Sequence, residues 1–212
     1  VKYLDLSLIE EGGLLMWPIL LLSLIGFVLF VERTLHLHRG QIRTSEFIDG
    51  IKNLLRKRRL LEALTLCEET SAPVSNVIKA ALLHYDEEEG KMLSAVQAAA
   101  IVQIPLMERR IGSIAAIARV CPLIGLLGTV LGMFESFSDY LGGGTVYADV
   151  AVLANGFSEA LITTAAALAI AIVAHLAHHF LSGRVRALVH DMEWAGNDIM
   201  QFLLHDLPEE ET

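Results

Sequence analysis

The sequence predicts an all-α membrane protein with three transmembrane helices and long helical extensions on the cytoplasmic side. Three observations carry this. The 212 residues are 54% hydrophobic yet include 16 Lys and Arg and 25 Asp and Glu. The apolar residues gather into three long runs, as membrane spans require. The arginines crowd one end of each run.

The first run, Leu14 to Val31, carries no charge. A helix over it would span roughly 27 Å, close to the thickness of a bilayer core. Acids at Asp5, Glu10 and Glu11 precede it and no small-x-small cleavage pattern precedes Glu32, so it is expected to stay as a membrane helix and not to be cleaved as a signal peptide. The second run is uncharged from Val120 to Phe134 and extends to Leu141 across Glu135 and Asp139. The third, Val150 to Leu181, is interrupted only by Glu159 and three histidines. At roughly 48 Å it exceeds a bilayer core, so one end should project into water.

Charge placement predicts the orientation. Arg33, Arg39 and Arg43 follow the first run, Arg109, Arg110 and Arg119 lead into the second, and Arg184 and Arg186 follow the third. The segment from Ser138 to Asp149 has no Lys or Arg, and the N-terminal segment has only Lys2. The positive-inside rule then puts the N-terminus in the periplasm and the C-terminus in the cytoplasm. The expected plan is a periplasmic segment 1–13, spans 14–31, 111–137 and 150–181, a cytoplasmic helical region 32–110, a periplasmic loop 138–149, and a cytoplasmic C-terminal helix with an acidic tail over 182–212.

Region 32–110 reads as helix pairs. Phe47, Ile51, Leu54 and Leu55 share a helical face, and the basic stretch Arg56 to Arg59 reads as a solvated or headgroup-facing turn. Ser71-Ala72-Pro73 marks a helix start. Glu87-Glu88-Glu89-Gly90 is the next break. From Lys91 a helix is expected to run on into the second span, bending near Pro105 or Pro122. Pro208 to Thr212 reads as a disordered tail.

Composition also excludes functions. A formal net charge of −9 with dispersed basic residues argues against nucleic-acid binding. Cys67 and Cys121 have no metal-ligand spacing, and both are expected to be reduced thiols. His175, His178 and His179 share a helical face and His36 and His38 lie near the same membrane end, but no carboxylate or cysteine accompanies them at ligand spacing. Neither a metal nor another cofactor is expected. Nothing resembles a nucleophile with its base or a phosphate loop, so an enzyme is not expected either.

The spans carry two kinds of special residue. Gly125, Gly128 and Gly132 fall at spacings of three and four, which lets another helix approach closely. Ala160, Ala165, Ala166, Ala167, Ala169, Ala171 and Ala174 give the third run the same character. Glu135 and Glu159 are costly in lipid and are expected to face a bundle interior or a wet cavity. Thr129, Thr163 and Thr164 could bond back to their own helices. By helical rise both acids stand roughly 7 to 9 Å outward of their threonines, which suggests a polar track along the second and third helices.

At these residues the chain resembles a known family. Gly125-Leu126-Leu127-Gly128-Thr129-Val130-Leu131-Gly132-Met133, followed by Ser136-Phe137, resembles the G-L-x-G-T-V-x-G signature of ExbB and TolQ in the ExbB/TolQ/MotA family. Gly156-Phe157-Ser158-Glu159-Ala160-Leu161-Ile162-Thr163-Thr164-Ala165 is similar to their G-x-x-E-A-L-x-x-T-A motif. The three-span plan fits the ExbB/TolQ branch better than the four-span MotA relatives. The resemblance implies a proton-channel subunit of an inner-membrane motor driven by the proton motive force. It implies a homopentamer whose second and third helices line a pore, holding two copies of a single-span ExbD- or TolR-like partner and serving a TonB- or TolA-like protein. On this carry-over Thr129 and Thr164 match the family's pore threonines and Glu159 its pore glutamate. Thr163 and Glu135 are neighbouring candidates for the proton pathway. Ala167 and Val173 stand where the family often has glycine and proline, and Glu135 where it often has asparagine or histidine. The competing expectation, from the residues alone, is an oligomeric membrane scaffold that conducts nothing.

Overall fold

The computed structural model describes residues 15–40, 42–142 and 149–206. Its described elements are seven α-helices and a terminal π-helical turn: α1 Met16–Arg39, α2 Thr44–Arg56, α3 Leu60–Glu69, α4 Pro73–Leu83, α5 Glu89–Glu108, α6 Ile111–Gly142, α7 Asp149–Gln201 and the turn Phe202–Asp206. The fold is all-helical. Among the described residues four stretches are long and apolar enough to cross a membrane: Met16–His38, Glu89–Glu108, Ile111–Tyr140 and Leu153–Asp206. The expected N-terminal segment 1–13, residues 143–148 of the expected 138–149 loop and the acidic tail from 207 lie outside the described residues, while 138–142 continue α6 as helix.

The chain forms two compact units. One comprises residues 1–31 and 110–179, the other 32–109 and 180–212. α1 and α7 each contribute to both, because their helices run past the apolar runs, to Arg39 and to Gln201.

In the first unit, α1 lays Ile19 against Cys121, Ala167 and Ala171, with Ile124 and Ile170 packed around them. One turn further along, Leu22 and Leu29 pack against Ile117, Ala118 and Ala174. The buried partners from α7 are alanines, Ala167, Ala171 and Ala174, so helix axes approach closely there and dispersion contacts replace bulk.

In the second unit, α2 to α5 form an up-and-down series in which each helix packs on the next. The amphipathic α2 buries Ile48, Ile51 and Leu55. Pro73 opens α4 at its first turn, where a missing N–H costs nothing. The α4 face Val74, Val77, Ile78, Ala81 and Leu82 is fully buried. Val77 and Val96 press on Gly196, where an added Cβ would stand 2.9 Å from Val96 Cγ1. Lys52 pairs with Asp198 at 2.8 Å, and both Lys52 and Arg56 lie over the Phe202 ring at 5.5 Å.

The uninterrupted helix expected from Lys91 into the second span does not form. α5 ends at Glu108, α6 begins at Ile111, and Arg110 sits at φ 68° in the left-handed region. Neither proline causes the break. Pro105 and Pro122 both lie inside helices. The end of α5 is instead held by Arg33, which is 4% exposed and donates to the Leu106 carbonyl and, at 2.6 Å, to the Met107 carbonyl. These carbonyls belong to the last turn of α5, which has no later N–H to accept from and suits a cation.

Candidate functional site

The two signature motifs face each other. α6 and α7 pack antiparallel through a seam of small residues, visible in what a side chain on each glycine would strike. A Cβ at Gly125 would meet Ala167 Cβ at 2.6 Å and Thr164 Cα at 3.3 Å. At Gly128 it would meet Thr163 Cγ2 at 3.0 Å, and at Gly132 Ala160 Cβ at 3.2 Å. A Cβ on Gly156 would collide with Ser136. Ser136 is buried and bonds back to the Gly132 carbonyl at 2.7 Å. Gly156 and Ser136 therefore extend the seam by one more turn, a role that the α6 glycine spacing did not reveal; the signal was the glycine that opens the second motif.

The three threonines occupy different places. Thr164 spans the seam: its hydroxyl donates to the Gly125 carbonyl at 2.8 Å and lies 3.2 Å from the Ala160 carbonyl. Thr129 is half-exposed and bonds back to the Leu126 carbonyl at 2.7 Å. Thr163 is only 3% exposed, pressed on Gly128, with its hydroxyl given to the Glu159 carbonyl at 2.9 Å. It stands with the packing residues, not on an open flank.

Helical spacing then sorts the polar groups into two files. Thr129 follows Gly125 by four residues and so shares its face, the face on which Thr164 bonds. Glu159 precedes Thr163 by four, and Glu135 follows Gly128 by seven, so both acids belong to the Gly128–Thr163 side. Around the axes, Glu135 projects about 120° from Thr129 and Glu159 about 140° from Thr164. The single polar track expected from rise alone is thus two files, one on either flank of the seam. Both acids are exposed and stand at the level of the Gly132–Ala160 and Ser136–Gly156 contacts.

α1 distinguishes the flanks. Leu15, the residue before α1, reaches to 3.6 Å from the Cβ position of Gly128, beside Thr163, and Ile124 and Ile170 pack around Ile19 of α1. The first helix therefore covers the Gly128–Thr163 side. Among the described residues α1 leaves the Thr129–Thr164 side uncovered, and Thr129 is half-exposed there.

Near the middle of α7, the His175 and His178 rings lie 6.4 Å apart and tilted. Among the described residues no group of three or more His, Cys, Asp or Glu side chains could hold a metal ion.

Known proteins share this arrangement of sequence. The profile of the MotA/TolQ/ExbB proton channel family matches residues 69–194. An ExbB homolog of Methanothermobacter thermautotrophicus is 31% identical over 85% of this chain, which spans 63% of that relative's length. ExbB-like 3 of Synechocystis is 30% identical over 94% of this chain and 96% of its own. The biopolymer transport protein ExbB of Neisseria meningitidis is 28% identical over 88% of this chain and 89% of its own. The chain belongs to the MotA/TolQ/ExbB proton channel family.

Proposed function

We propose that this chain is the channel-forming subunit of an inner-membrane motor, in which protons flow along the open Thr129–Thr164 flank of a homopentamer. The flow would energise a TonB- or TolA-like periplasmic process. The observation that carries this reading is the asymmetry of the α6–α7 pair. A close-packed glycine and alanine seam has α1 on one side and two threonine hydroxyls on the other. A ring of such pairs, with α1 outermost, turns its hydroxyls toward the axis.

Hydroxyls alone do not carry a proton through hydrocarbon, because a bare charge there needs an ionisable or water-bearing station. The acids of the chain lie further out, on the other flank. The missing carboxylate is therefore assigned to a second subunit, an ExbD- or TolR-like single-span protein present in two copies within the pore. Its acid would move between threonine-lined positions on successive subunits. Glu159 and Glu135 would collect protons on the periplasmic side.

This reading uses three spans: α1, α6 and the first part of α7. The fourth apolar helix, α5, is kept in the cytoplasmic region because it begins with Glu89 and Lys91, ends at Glu108, packs on α4 and has its last carbonyls bound by Arg33. The N-terminus is then periplasmic and the C-terminus cytoplasmic. The experiment is co-expression with a candidate single-span partner followed by native mass measurement. Five copies of this chain with two of the partner agree with the proposal; a stable assembly of another count, unable to take up the partner, contradicts it.

A further inference from the structure

Two turns in the second unit carry opposite charge and meet nothing of opposite sign in one another. The α2–α3 turn is Arg56-Lys57-Arg58-Arg59, with all four side chains exposed. Arg58 takes φ 58°, a left-handed conformation unfavourable for an ordinary residue, and it closes the turn tightly. The α4–α5 turn is Asp86-Glu87-Glu88, followed by Glu89, and these four are exposed as well. Each turn also shows bare apolar surface. Leu61 is 81% exposed beside the basic turn, while Leu83 at 58% and Tyr85 at 42% flank the acidic one.

Position makes the two turns a matched pair. Helices joined by short connections run antiparallel, so the α2–α3 and α4–α5 turns emerge at the same end of the series and the α3–α4 turn at the other. α3 and α4 stand between them, because each helix packs on its neighbour in order. Within the chain the charges are only partly spent. Arg59 pairs with Glu62 at 3.2 Å and Glu87 comes no nearer than 4.0 Å to Lys91. Among the described residues no ion pair joins one turn to the other.

We infer that the basic α2–α3 turn of one copy docks on the acidic α4–α5 turn of the next copy, with Leu61 set against Leu83 and Tyr85. The occupant is a second copy of this chain because the complement is on the chain itself, at the same height and on the opposite edge. A contact between two different patches is heterologous, and repeated around an axis it closes a ring. Exposed ion pairs add little affinity each, so the contact fixes register between neighbours and excludes like-charged pairings more than it supplies affinity. The inference rests on the homo-oligomer of the proposed function.

The test uses two differently tagged full-length chains, one with Leu61→Cys and one with Leu83→Cys, co-expressed and treated in membranes with a short bismaleimide linker. The native Cys67 and Cys121 are buried and serve as an unreactive background, checked with unsubstituted chains. Cross-linking between the two tags, absent when either variant is present alone, is the expected result. Arg58→Glu with Lys57→Glu should lower it about tenfold, corresponding to about 1.4 kcal/mol. Adding Glu87→Lys and Glu88→Lys on the facing chain should restore it. Cross-linking of Leu61→Cys to itself would overturn the inference. So would its absence in an assembly that native mass shows to be intact, which leaves the oligomer standing. A chain that is monomeric by native mass would remove both.

Discussion

The Thr164 hydroxyl donates to the Gly125 carbonyl at 2.8 Å, joining the second signature motif to the first across the α6–α7 seam. An interhelical bond of this kind inside a membrane is worth about 1–2 kcal/mol at most. That is too little to hold the pair together and enough to fix a hydroxyl in one place. Thr164→Val keeps the shape of the side chain and removes that bond. It is expected to leave assembly intact while stopping energy transduction, and Thr129→Val is expected to do the same. Size-exclusion profiles and a growth assay dependent on the motor check both. Full activity in the two variants would show that the hydroxyls only satisfy nearby carbonyls.

Gly125→Ala should damage the pair. Its Cβ would stand 2.6 Å from Ala167 Cβ and 3.3 Å from Thr164 Cα, and a Cα cannot rotate away. Overpacking of this kind costs about 1–3 kcal/mol. Gly112→Ala, in the same helix with nothing within 4 Å of its Cβ position, is expected to be neutral or to stabilise by up to about 1 kcal/mol. Thermal unfolding in detergent compares the two. Equal behaviour would mean that the seam is looser than these distances.

Arg33→Met should destabilise the second unit, since the Leu106 and Met107 carbonyls lose a charged donor. Bonds to charged groups contribute about 1.5–3 kcal/mol. Arg33→Lys should recover part of this, because an ammonium is a point donor without the guanidinium fork. Protease resistance of the α5–α6 junction is the readout.

Topology can be tested with thiols, and the structure determines which ones are useful. Cys67 is buried, and desolvation by burial pushes its thiol up to about 11, with Lys79 lowering it and Glu68 raising it. It would stay silent to a reagent from either side. Thr145→Cys and Asp86→Cys are better reporters: the first should react with an impermeant reagent in intact cells, the second only after lysis. The reverse pattern would remove the proposed orientation. The same thiol gives a pH dependence. The unfolded thiol, with its ordinary value of 9.0, ionises before the folded one, so the stability contributed by burying the neutral form is present below pH 9 and is lost as pH rises through the window to about 11. Denaturation midpoints should fall across that window in the native chain and hold steadier in Cys67→Ala.

Much of this fold was legible because its signals are local. The charge-free run to Val31 became α1, Pro73 opened α4 where a proline belongs, and the glycines of the first motif lie against the threonines and alanines of the second. The break at Arg109–Arg110 was not legible. Helix-forming residues run through it, and the left-handed Arg110 and the Arg33 contact depend on tertiary packing. Sequence spacing likewise gave the heights of Glu135 and Glu159 but not their flank, which only the partner helix defines. Thr163 and Thr164 are neighbours in sequence, yet one is buried against Gly128 and the other bonds to Gly125.

Proton flux in liposomes is the most direct test, measured for the purified chain with and without the proposed single-span subunit, and with Glu159→Gln in place of the native residue. Flux that appears only with the partner and falls in the glutamine variant is the expected result. Robust, proton-selective flux from this chain alone would contradict it, because the conducting carboxylate would then have to come from the chain itself.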